Sequence, residues 1–589
     1  MKKVFFGIFL EGMFLYADTV RDVIRNNDQN IENERRQEEL EKRQRELENE
    51  DSNNKPEYTP ETENIDNTNK FFIKTIEVED EYNLLSEKEL SKVTKKYKNR
   101  LLGAKDINKL LSDINNVYIE KGYVTTRVKL DETQNMKEGV IKVKVITGKV
   151  EGVQMNQNTF FDRAKIFTSV PRNEILRLSD IEQATDQFNR LSSNNVEIKI
   201  APGNEVGGSV LQVENQQTRT YSVDISYNNY GDESTGRDRV KFELTKDNLL
   251  GINDSLYASY QRGNNKRPGR GDDEGSLKEL EPGEIYDGKQ PVEGETEVGM
   301  EKFNEDWSVN YSVPFRYWTF NMGYSHSYYI SSVDAYNGVF DTSGKSTQFN
   351  TGVDRVLYRD RGSKLSGNLG LKLKANENYF EDITLVDRRL TIGSVGLNYS
   401  RGLFGGILGA DISYDRGMPW FRAETDEGKG EYEPKGEFNR YNFNLSWYRP
   451  ITVGKQRLIY RISGVSQYSP DILYGSEKLS IGDEYTVRGY KGNSVSGDSG
   501  FYIKNEISYN ISIPKVGNIS PYIGYDFGRV WNNKVEDEYK IGHLSGLALG
   551  IRYNGEIFSF DVAYTKPDNA SEYVGKSDEE VYVTFGVNF

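Results

Sequence analysis

From about residue 219 to the end of the chain, apolar and polar residues alternate with a period of two. The alternation is clearest in the last segment, whose apolar residues are Val581, Val583, Phe585, Val587 and Phe589. A strand of about nine residues crosses a bilayer when it is tilted. A half-buried strand of a soluble β-sandwich alternates in the same way, so the pattern alone leaves both architectures open.

The connections between these segments separate the two architectures. Roughly sixteen candidate strands can be counted, and bacterial outer-membrane barrels have an even number. Every second connection is short: LLGIND, VPFRYW, RDRGSK, RGLFGG, RPITVGKQ, PKVGNIS and NGEI. The others are long and polar, at 263–301, 331–345, 416–437 and 467–499. Short turns at one rim and long loops at the other predict a transmembrane β-barrel over residues 219–589. With an even strand number, both ends of the barrel lie at the periplasmic rim.

The composition agrees with a barrel and excludes several other classes of protein. Hydrophobic residues make up 36% and aromatic residues 12%, and mean hydropathy is −0.72. No run of about 18 apolar residues follows the N-terminus, which excludes a helical membrane protein. The absence of cysteine excludes disulfides, thiolate metal sites and thiol nucleophiles. A net charge of −15 argues against nucleic acid as a partner.

The N-terminal region predicts three segments before the first folded unit. Residues 1–17 have two lysines followed by an apolar stretch, which predicts an export signal, with a buried strand as the alternative. Residues 18–50 contain a helix that is polar on all sides and carries Glu→Lys/Arg pairs at i,i+4. Such a helix is either a solvated spacer or a rod for a watery cavity. Residues 51–70 are predicted to be a disordered linker.

Two similar α+β units follow. In residues 71–148 the pattern is β-α-α-β-β. It begins with a single strand, FFIKTIEVED, and a helix over 86–101, and the second helix has Ile107, Leu110, Leu111, Ile114 and Val117 at helical spacing. Residues 149–216 repeat the same order, beginning with KVEGVQM, with a first helix at 161–170, and ending with GSVLQVENQ. A tandem repeat is more informative than either copy alone.

One arginine in the longest C-terminal loop raises a specific question. Arg488 lies in GDEYTVRGYKGN, and a loop arginine is ordinarily a solvated surface charge. In the next hairpin the strand phase turns Asp526 toward the lumen, with Gly524 and Gly528 on either side. If loop 467–499 folds back into the pore, Arg488 can form a charge-assisted pair with Asp526.

These features together resemble the outer-membrane transporters of two-partner secretion systems. The resemblance rests on VRGY (487–490), on DFG (526–528), on the two tandem units and on the C-terminal Phe589. It covers nearly the whole chain after residue 17. It implies a 16-stranded transmembrane β-barrel, two periplasmic α+β polypeptide-transport-associated (POTRA) domains at 71–148 and 149–216, and a plug helix within 18–50.

The resemblance also implies roles for particular residues. The loop motif in the pore is Val487, Arg488, Gly489 and Tyr490, and its partners on the barrel wall are Asp526 and Gly528. The strand at 123–130 would be a sheet edge that captures the client through Tyr123, Val124, Thr126 and Val128. Phe589 would be the signal for assembly into the membrane.

The partners implied are an unfolded secreted exoprotein with an N-terminal secretion domain, the barrel-assembly machinery and the lipid bilayer. No cofactor and no metal is expected. An enzyme is disfavoured, since no G-x-S-x-G motif occurs and His326 and His543 are isolated in the sequence. A passive porin needs no periplasmic domains. A general barrel-assembly factor of the same superfamily remains the alternative, although it typically has more POTRA repeats.

Overall fold

The computed structural model describes residues 24–41, 70–134, 136–155, 173–232, 235–264, 277–279, 297–299, 303–335, 338–360, 362–380, 383–454, 456–533, 541–575 and 577–589. They form an N-terminal helix, two α+β units and a closed barrel of 16 strands, as predicted. The predicted signal peptide, and the linker up to residue 69, lie outside the described residues. No described helix is long and apolar enough to cross a membrane.

The N-terminal helix, α1, comprises residues 24–41. Asn27, Gln29 and Asn33 are buried although they are polar, and they lie among side chains of the barrel interior. A helix without an apolar face gains nothing from a hydrophobic core. It is accommodated here because the lumen provides polar and charged partners. Of the two predicted roles, the structure therefore has the rod in a polar cavity.

The first unit contains five strands and two helices: β1 (Lys70–Ile73), β2 (Thr75–Glu79), α2 (Glu87–Thr94), β3 (Arg100–Gly103), α3 (Ala104–Glu120), β4 (Arg127–Leu130) and β5 (Val140–Ile146), with a 3-10 turn at Met136–Glu138. The main sheet has the order β2-β5-β4, and β1 pairs with β3 in a separate ribbon. Ser86 and Glu89 form a capping box that starts α2. The predicted apolar face of α3 is the core, where Leu110 and Ile114 are fully buried.

One strand prediction and one helix prediction in this unit are wrong. The single strand predicted at the start of the unit is divided between β1 and β2, because the amides of Lys74 and Thr75 both donate to the Gly139 carbonyl oxygen, at 2.7 and 3.1 Å. The helix predicted over 86–101 ends at Thr94, and the chain then forms β3 against β1.

The predicted edge strand at 123–130 begins only at Arg127. Gly122, with φ of +91°, ends α3, and the next residues turn: the Thr126 amide donates to the Tyr123 carbonyl oxygen at 3.2 Å. Tyr123, Val124 and Thr126 are therefore not strand residues, and Thr126 is fully buried. Val128 lies in β4, which is an outer strand of the sheet as predicted.

The second unit repeats the sheet of the first. Its described elements are β6 (Lys149–Met155), α4 (Leu178–Asn189), β7 (Val196–Pro202) and β8 (Gly208–Asn215). In the three-stranded sheet of each unit the last strand is central, parallel to the first strand of that sheet (β2 or β6) and antiparallel to the other one (β4 or β7). The helix predicted at 161–170 lies outside the described residues. α4 rests on the periplasmic rim, where Arg359 of the barrel pairs with Asp186 at 2.5 Å.

The barrel closes by pairing its first strand with its last. Its strands, together with two short ribbons in the connections, are β9 (Tyr221–Asn228), β10 (Arg239–Asp247), β11 (Ser255–Asn264), β12 (Leu277–Glu279), β13 (Glu297–Gly299), β14 (Phe303–Phe315), β15 (Trp318–Ala335), β16 (Gly338–Asp360), β17 (Ser363–Phe380), β18 (Ile383–Leu403), β19 (Gly406–Met418), β20 (Asn439–Val453), β21 (Gln456–Tyr468), β22 (Leu479–Ile481), β23 (Val495–Gly497), β24 (Ser499–Ile513), β25 (Gly517–Trp531), β26 (Ile541–Asn554), β27 (Phe558–Ala570) and β28 (Glu580–Asn588). The two ribbons are β12-β13 and β22-β23, and a 3-10 turn lies at Gly475–Glu477.

The predicted short turns all join neighbouring strands at one rim. One predicted long loop is wrong: 331–345 is mostly strand, because the β15–β16 ladder continues to the pair Ala335 and Gly338. The segment is polar, but its backbone pairing continues beyond the length needed to cross the bilayer. The strand phase predicted for β25 is correct, since Ile523, Tyr525 and Phe527 are exposed on the outer face.

Candidate functional site

The connection between β21 and β24, residues 469–498, folds back into the barrel. Its β22-β23 ribbon packs against β24, β25 and β26. The loop has its own apolar core, formed with the inner wall by Val465, Leu479, Ile481, Val487, Tyr490, Val495, Tyr502, Val530 and Leu544. This core gives the loop a defined position inside the pore.

Arg488 and Asp526 are in direct contact at the centre of this arrangement. The Arg488 Nε lies 2.5 Å from Asp526 Oδ2, and Nη2 lies 2.9 Å from Oδ1, so the pair is bidentate. The Arg488 side chain is 3% exposed and that of Asp526 is 0% exposed. Because both side chains are buried, water cannot replace either partner. Each charge is therefore compensated only when the two groups meet in this geometry.

The barrel wall is shaped to admit the arginine. A Cβ atom at Gly524 would collide with Arg488 Nη2, so the missing side chain is the space that the guanidinium occupies. At Gly528 a Cβ atom would lie 3.0 Å from Tyr502 Cβ and 3.1 Å from Ile481 Cδ1. The two glycines on either side of Asp526 therefore leave the space in which the loop packs against the wall.

The other residues of the loop motif fix its backbone. Val487 is fully buried in the loop core. Gly489 has φ of +102°, and a Cβ atom there would lie 3.0 Å from the Pro567 nitrogen. The Tyr490 hydroxyl lies 2.7 Å from the Ser545 carbonyl oxygen and 2.8 Å from that of Asn569. The motif thus contacts β25, β26 and β27 at once.

A second charged network, which was not predicted from the sequence, holds the beginning of the loop. Glu477 is 1% exposed and accepts from Lys374 at 2.7 Å and from Arg440 at 2.9 Å. Arg440 also donates to Asp415 at 2.8 Å. The inward strand phase of Lys374, Asp415 and Arg440 was available as a signal, but Glu477 lies in a loop without periodicity.

Acidic residues of α1 pair with basic residues of the wall. Glu32 contacts Lys374 at 3.1 Å, Glu34 contacts Arg239 at 3.0 Å and Glu38 contacts Lys241 at 2.6 Å. A fourth carboxylate, that of Glu39, is exposed and lies 3.7 Å from Lys372. The predicted i,i+4 partner of Glu32 is Arg36, yet Glu32 is paired across the lumen instead.

The helix also touches the loop. Asn33 Nδ2 donates to Asp483 Oδ2 at 2.7 Å, five residues before Arg488 in the chain. Gln29 Nε2 donates to the Gly475 carbonyl oxygen at 3.3 Å. The helix, the loop and the wall are therefore one connected set of polar contacts.

Phe589 lies at the periplasmic end of the barrel seam. Its amide donates to the Val223 carbonyl oxygen at 2.9 Å, while its side chain is 55% exposed. The backbone thus extends the pairing of β28 with β9, and the aromatic ring remains accessible.

Taken together, these features define an outer-membrane channel whose lumen is filled by a loop and a helix of the same chain. Comparison with known proteins agrees. The family model described as haemolysin secretion/activation protein ShlB/FhaC/HecB matches residues 207–553. Models of the ShlB-type POTRA domain and of a POTRA domain match 71–148 and 149–202.

Two curated relatives and one solved structure illustrate the similarity. The outer membrane transporter CdiB of Dickeya dadantii is 30% identical over 474 residues, 80% of this chain and 78% of the relative. The hemolysin transporter protein HpmB of Proteus mirabilis is 27% identical over 82% of this chain and 79% of its own. The structure of CdiB from Escherichia coli superposes with a TM-score of 0.82 at 27% identity, and covers 97% of this chain and 99% of that one.

The chain belongs to the ShlB/FhaC/HecB family, whose members are polypeptide-transporting outer-membrane channels and not enzymes. It is an outer-membrane protein, and its POTRA domains lie in the periplasm. Membership in this family favours the two-partner secretion transporter over the general barrel-assembly factor.

Proposed function

We propose that this protein exports one dedicated exoprotein, unfolded, from the periplasm to the cell surface. One relative is named a hemolysin transporter, and a large secreted protein is the corresponding cargo here. The observation that supports this most strongly is the buried Arg488–Asp526 pair, because it holds a loop inside a pore that α1 also occupies.

The role proposed for the Arg488–Asp526 pair is to position the loop. Desolvation offsets much of the attraction between two buried charges, so such a pair contributes little net stability. The pair nevertheless restricts the loop, because both Arg488–Asp526 hydrogen bonds form in only one position of the loop. We assign the loop held in this position to the secretion-competent state.

The role proposed for α1 is to close the resting pore. Its contacts with the wall are hydrogen bonds and ion pairs, which an entering polar chain can replace one by one. Departure of α1 would leave a lumen lined with polar groups, through which an unfolded polypeptide can pass. Folding of the client outside the cell would then prevent its return.

Client capture is assigned to the edge strand β4 of the first POTRA domain. The register of β4 with β5 leaves one side of β4 without a strand partner among the described residues. An extended client segment can add to that edge by backbone hydrogen bonds. We further propose that the accessible Phe589 is read by the barrel-assembly machinery when this protein itself is inserted.

Comparative mass spectrometry of the culture medium and the outer membrane, with and without the gene, tests this function. Loss of one large secreted protein, with other outer-membrane barrels unchanged, is the expected result. A broad fall in many outer-membrane proteins would instead make this chain an assembly factor.

A further inference from the structure

A row of tyrosines marks the extracellular membrane boundary on one side of the barrel. Tyr414, Tyr441 and Tyr468 lie directly opposite one another on β19, β20 and β21. Their ring centroids are 5.1 and 6.2 Å apart, and Tyr441 and Tyr468 are about half exposed on the outer face. Tyrosine rows of this kind lie at the level of the lipid headgroups.

Directly above this row, the β19–β20 connection covers the outer face of β18. Thr391 has the same strand phase as the exposed Val395, yet it is buried. Its hydroxyl donates to the Trp420 carbonyl oxygen at 2.8 Å, and the Glu424 amide donates to the Arg389 carbonyl oxygen at 2.9 Å. Trp420 therefore lies on the lipid side of the wall, just above the tyrosines, and at Glu424 the segment runs beside the edge of β18.

A tight turn in that segment displays two large side chains. The Ala423 amide donates to the Trp420 carbonyl oxygen at 3.0 Å, and the two central residues, Phe421 and Arg422, have φ of 54° and 62°. Positive φ at both positions defines a type I′ turn, which normally takes Asn and Gly. Bulky residues are disfavoured there, and strain of this kind concentrates at functional positions. Phe421 is 66% exposed and Trp420 54% exposed.

Two arginines are exposed beside this turn. Arg389 and Arg422 are exposed, and within the described residues neither side chain has an ion pair. The two carboxylates nearest to Arg422 have partners of their own: Glu424 accepts from the Tyr474 hydroxyl, and Asp426 accepts from the Gly436 amide at 2.7 Å. The other carboxylates of the connection before Phe438, apart from the half-buried Glu437, are exposed further along it, at Glu427, Glu431 and Glu433.

Arg416 lies on β19, two residues above Tyr414. It lies opposite Asn439 and donates to its Oδ1 at 2.8 Å. The exposed Asp387 marks the upper limit of the basic region. We call the set Arg389, Arg416, Trp420, Phe421 and Arg422 the rim patch.

We propose that the rim patch binds the phosphorylated headgroup of a glycolipid of the outer leaflet. Guanidinium groups bind phosphate through paired hydrogen bonds, and indole and phenyl rings insert at the headgroup level. The patch is continuous with the lipid-facing wall, so a lipid that contacts the strands below presents its phosphate at the height of Arg416 and Arg422. The positive charge complements the anionic headgroup layer.

Native mass spectrometry of the full-length protein in detergent, titrated with purified lipid A, tests this site. Replacing two headgroup-level arginines weakens binding of an anionic lipid by about 10- to 30-fold. We expect this loss for the double variant Arg389→Ser/Arg422→Ser. Arg401→Ser is the matched control, because Arg401 is exposed on the same strand and has the same phase, but lies at the periplasmic end. It should bind lipid A like the wild type.

A second titration uses only the wild-type protein and so does not depend on the folding of a variant. Lipid A from which the phosphates have been removed should bind about 10-fold or more weakly than the phosphorylated form. Equal binding of the two lipids overturns the proposal. So does unchanged affinity in the double variant, or an equal loss in the control.

Discussion

Arg488 and Asp526 act together because neither is solvated and each is the only bidentate partner of the other among the described residues. Glu506 lies 3.8 Å from Arg488, but it is held by Arg552 at 3.1 Å. A single change on either side leaves a buried charge without compensation. We therefore propose that secretion depends on the loop position that these two side chains define jointly.

We expect Arg488→Ala and Asp526→Asn each to abolish secretion of the client while the barrel still folds. Loss of one partner from a buried pair destabilises the local arrangement by roughly 3–5 kcal/mol, which is enough to free the loop. Secretion is measured by immunoblotting of the medium, and folding by heat-modifiable migration. Arg529→Ala is the control, because Arg529 faces outward on the same strand as Asp526. Normal secretion by either variant would refute the positioning role.

Gly489 provides a steric test of the same loop position. Gly489→Ala adds a methyl group that would lie 3.0 Å from the Pro567 nitrogen, at a φ of +102°. Gly492→Ala is matched, since Gly492 also has positive φ, at +77°, but its nearest neighbour would be 3.9 Å away. Both substitutions therefore introduce backbone strain. Only the new methyl group at position 489 is close enough to the wall to displace the loop. We expect secretion to fall several-fold more in Gly489→Ala; equal effects would show that contact with β27 is unimportant.

Of the buried charged contacts in the lumen, one was predicted and another was not. The strand phase of β25, with Gly524 and Gly528, allowed a pairing of Arg488 with Asp526, and the resemblance to the family implied that it forms. The contact of Glu477 with Lys374 and Arg440 was missed. No local pattern identifies the partner of a loop carboxylate across 37 or more residues of chain.

At the scale of elements, α1 is the unusual part. Its attachment depends on ion pairs whose burial differs along the helix. Glu34 and Arg239 are 18% and 7% exposed, whereas Glu39 is 71% exposed. Loss of one partner from a buried ion pair is far more destabilising than the same loss from an exposed pair. The helix is therefore held mainly by its buried contacts.

We expect Glu34→Gln to raise the pore conductance in planar bilayers. The substitution leaves Arg239 buried without its charged partner, at a cost of roughly 3 kcal/mol or more. Glu39→Gln removes the same charge from an exposed position, and should change helix attachment by less than about 1 kcal/mol. Similar conductance in the two variants would contradict the assignment of α1 as a plug.

The edge strand β4 gives a prediction at the same scale. The Asp131 amide donates to the Lys142 carbonyl oxygen at 3.0 Å, so by alternation the amides of Val128 and Leu130 point away from β5. We expect these two amides to become protected from hydrogen exchange when the secretion domain of the client is added. Amides of the central strand β5 serve as the reference and should not change. Unchanged exchange at Val128 and Leu130 would exclude strand addition at β4.

Element types were largely predictable because hydrophobic period distinguishes strands from helices over long segments. The boundaries were less so. The edge strand was predicted to start at Tyr123, but the conformation of Gly122 and the burial of Thr126 depend on contacts with the rest of the unit. Residues 331–345, the upper part of the β15–β16 hairpin, were predicted as a loop, because alternation there is weak while backbone pairing continues.

At the scale of the whole molecule, α1, the loop and the wall form a single chain of contacts across the lumen. Glu32 and Glu477 share Lys374, and Asn33 contacts Asp483 in the loop that carries Arg488. Removal of the helix therefore breaks contacts to the loop and to the wall together. We propose that the client passes only after α1 has left this position.

The most direct test ties α1 to the loop. The chain has no cysteine, so Asn33→Cys/Asp483→Cys introduces a single pair at two side chains in contact. Oxidation, or a short reagent that bridges two thiols, would hold the helix in the lumen, and each single-cysteine variant is a control. We predict that client secretion stops when the bridge forms and resumes when a cleavable bridge is reduced. Undiminished secretion through a fully bridged barrel would show that α1 need not leave the lumen.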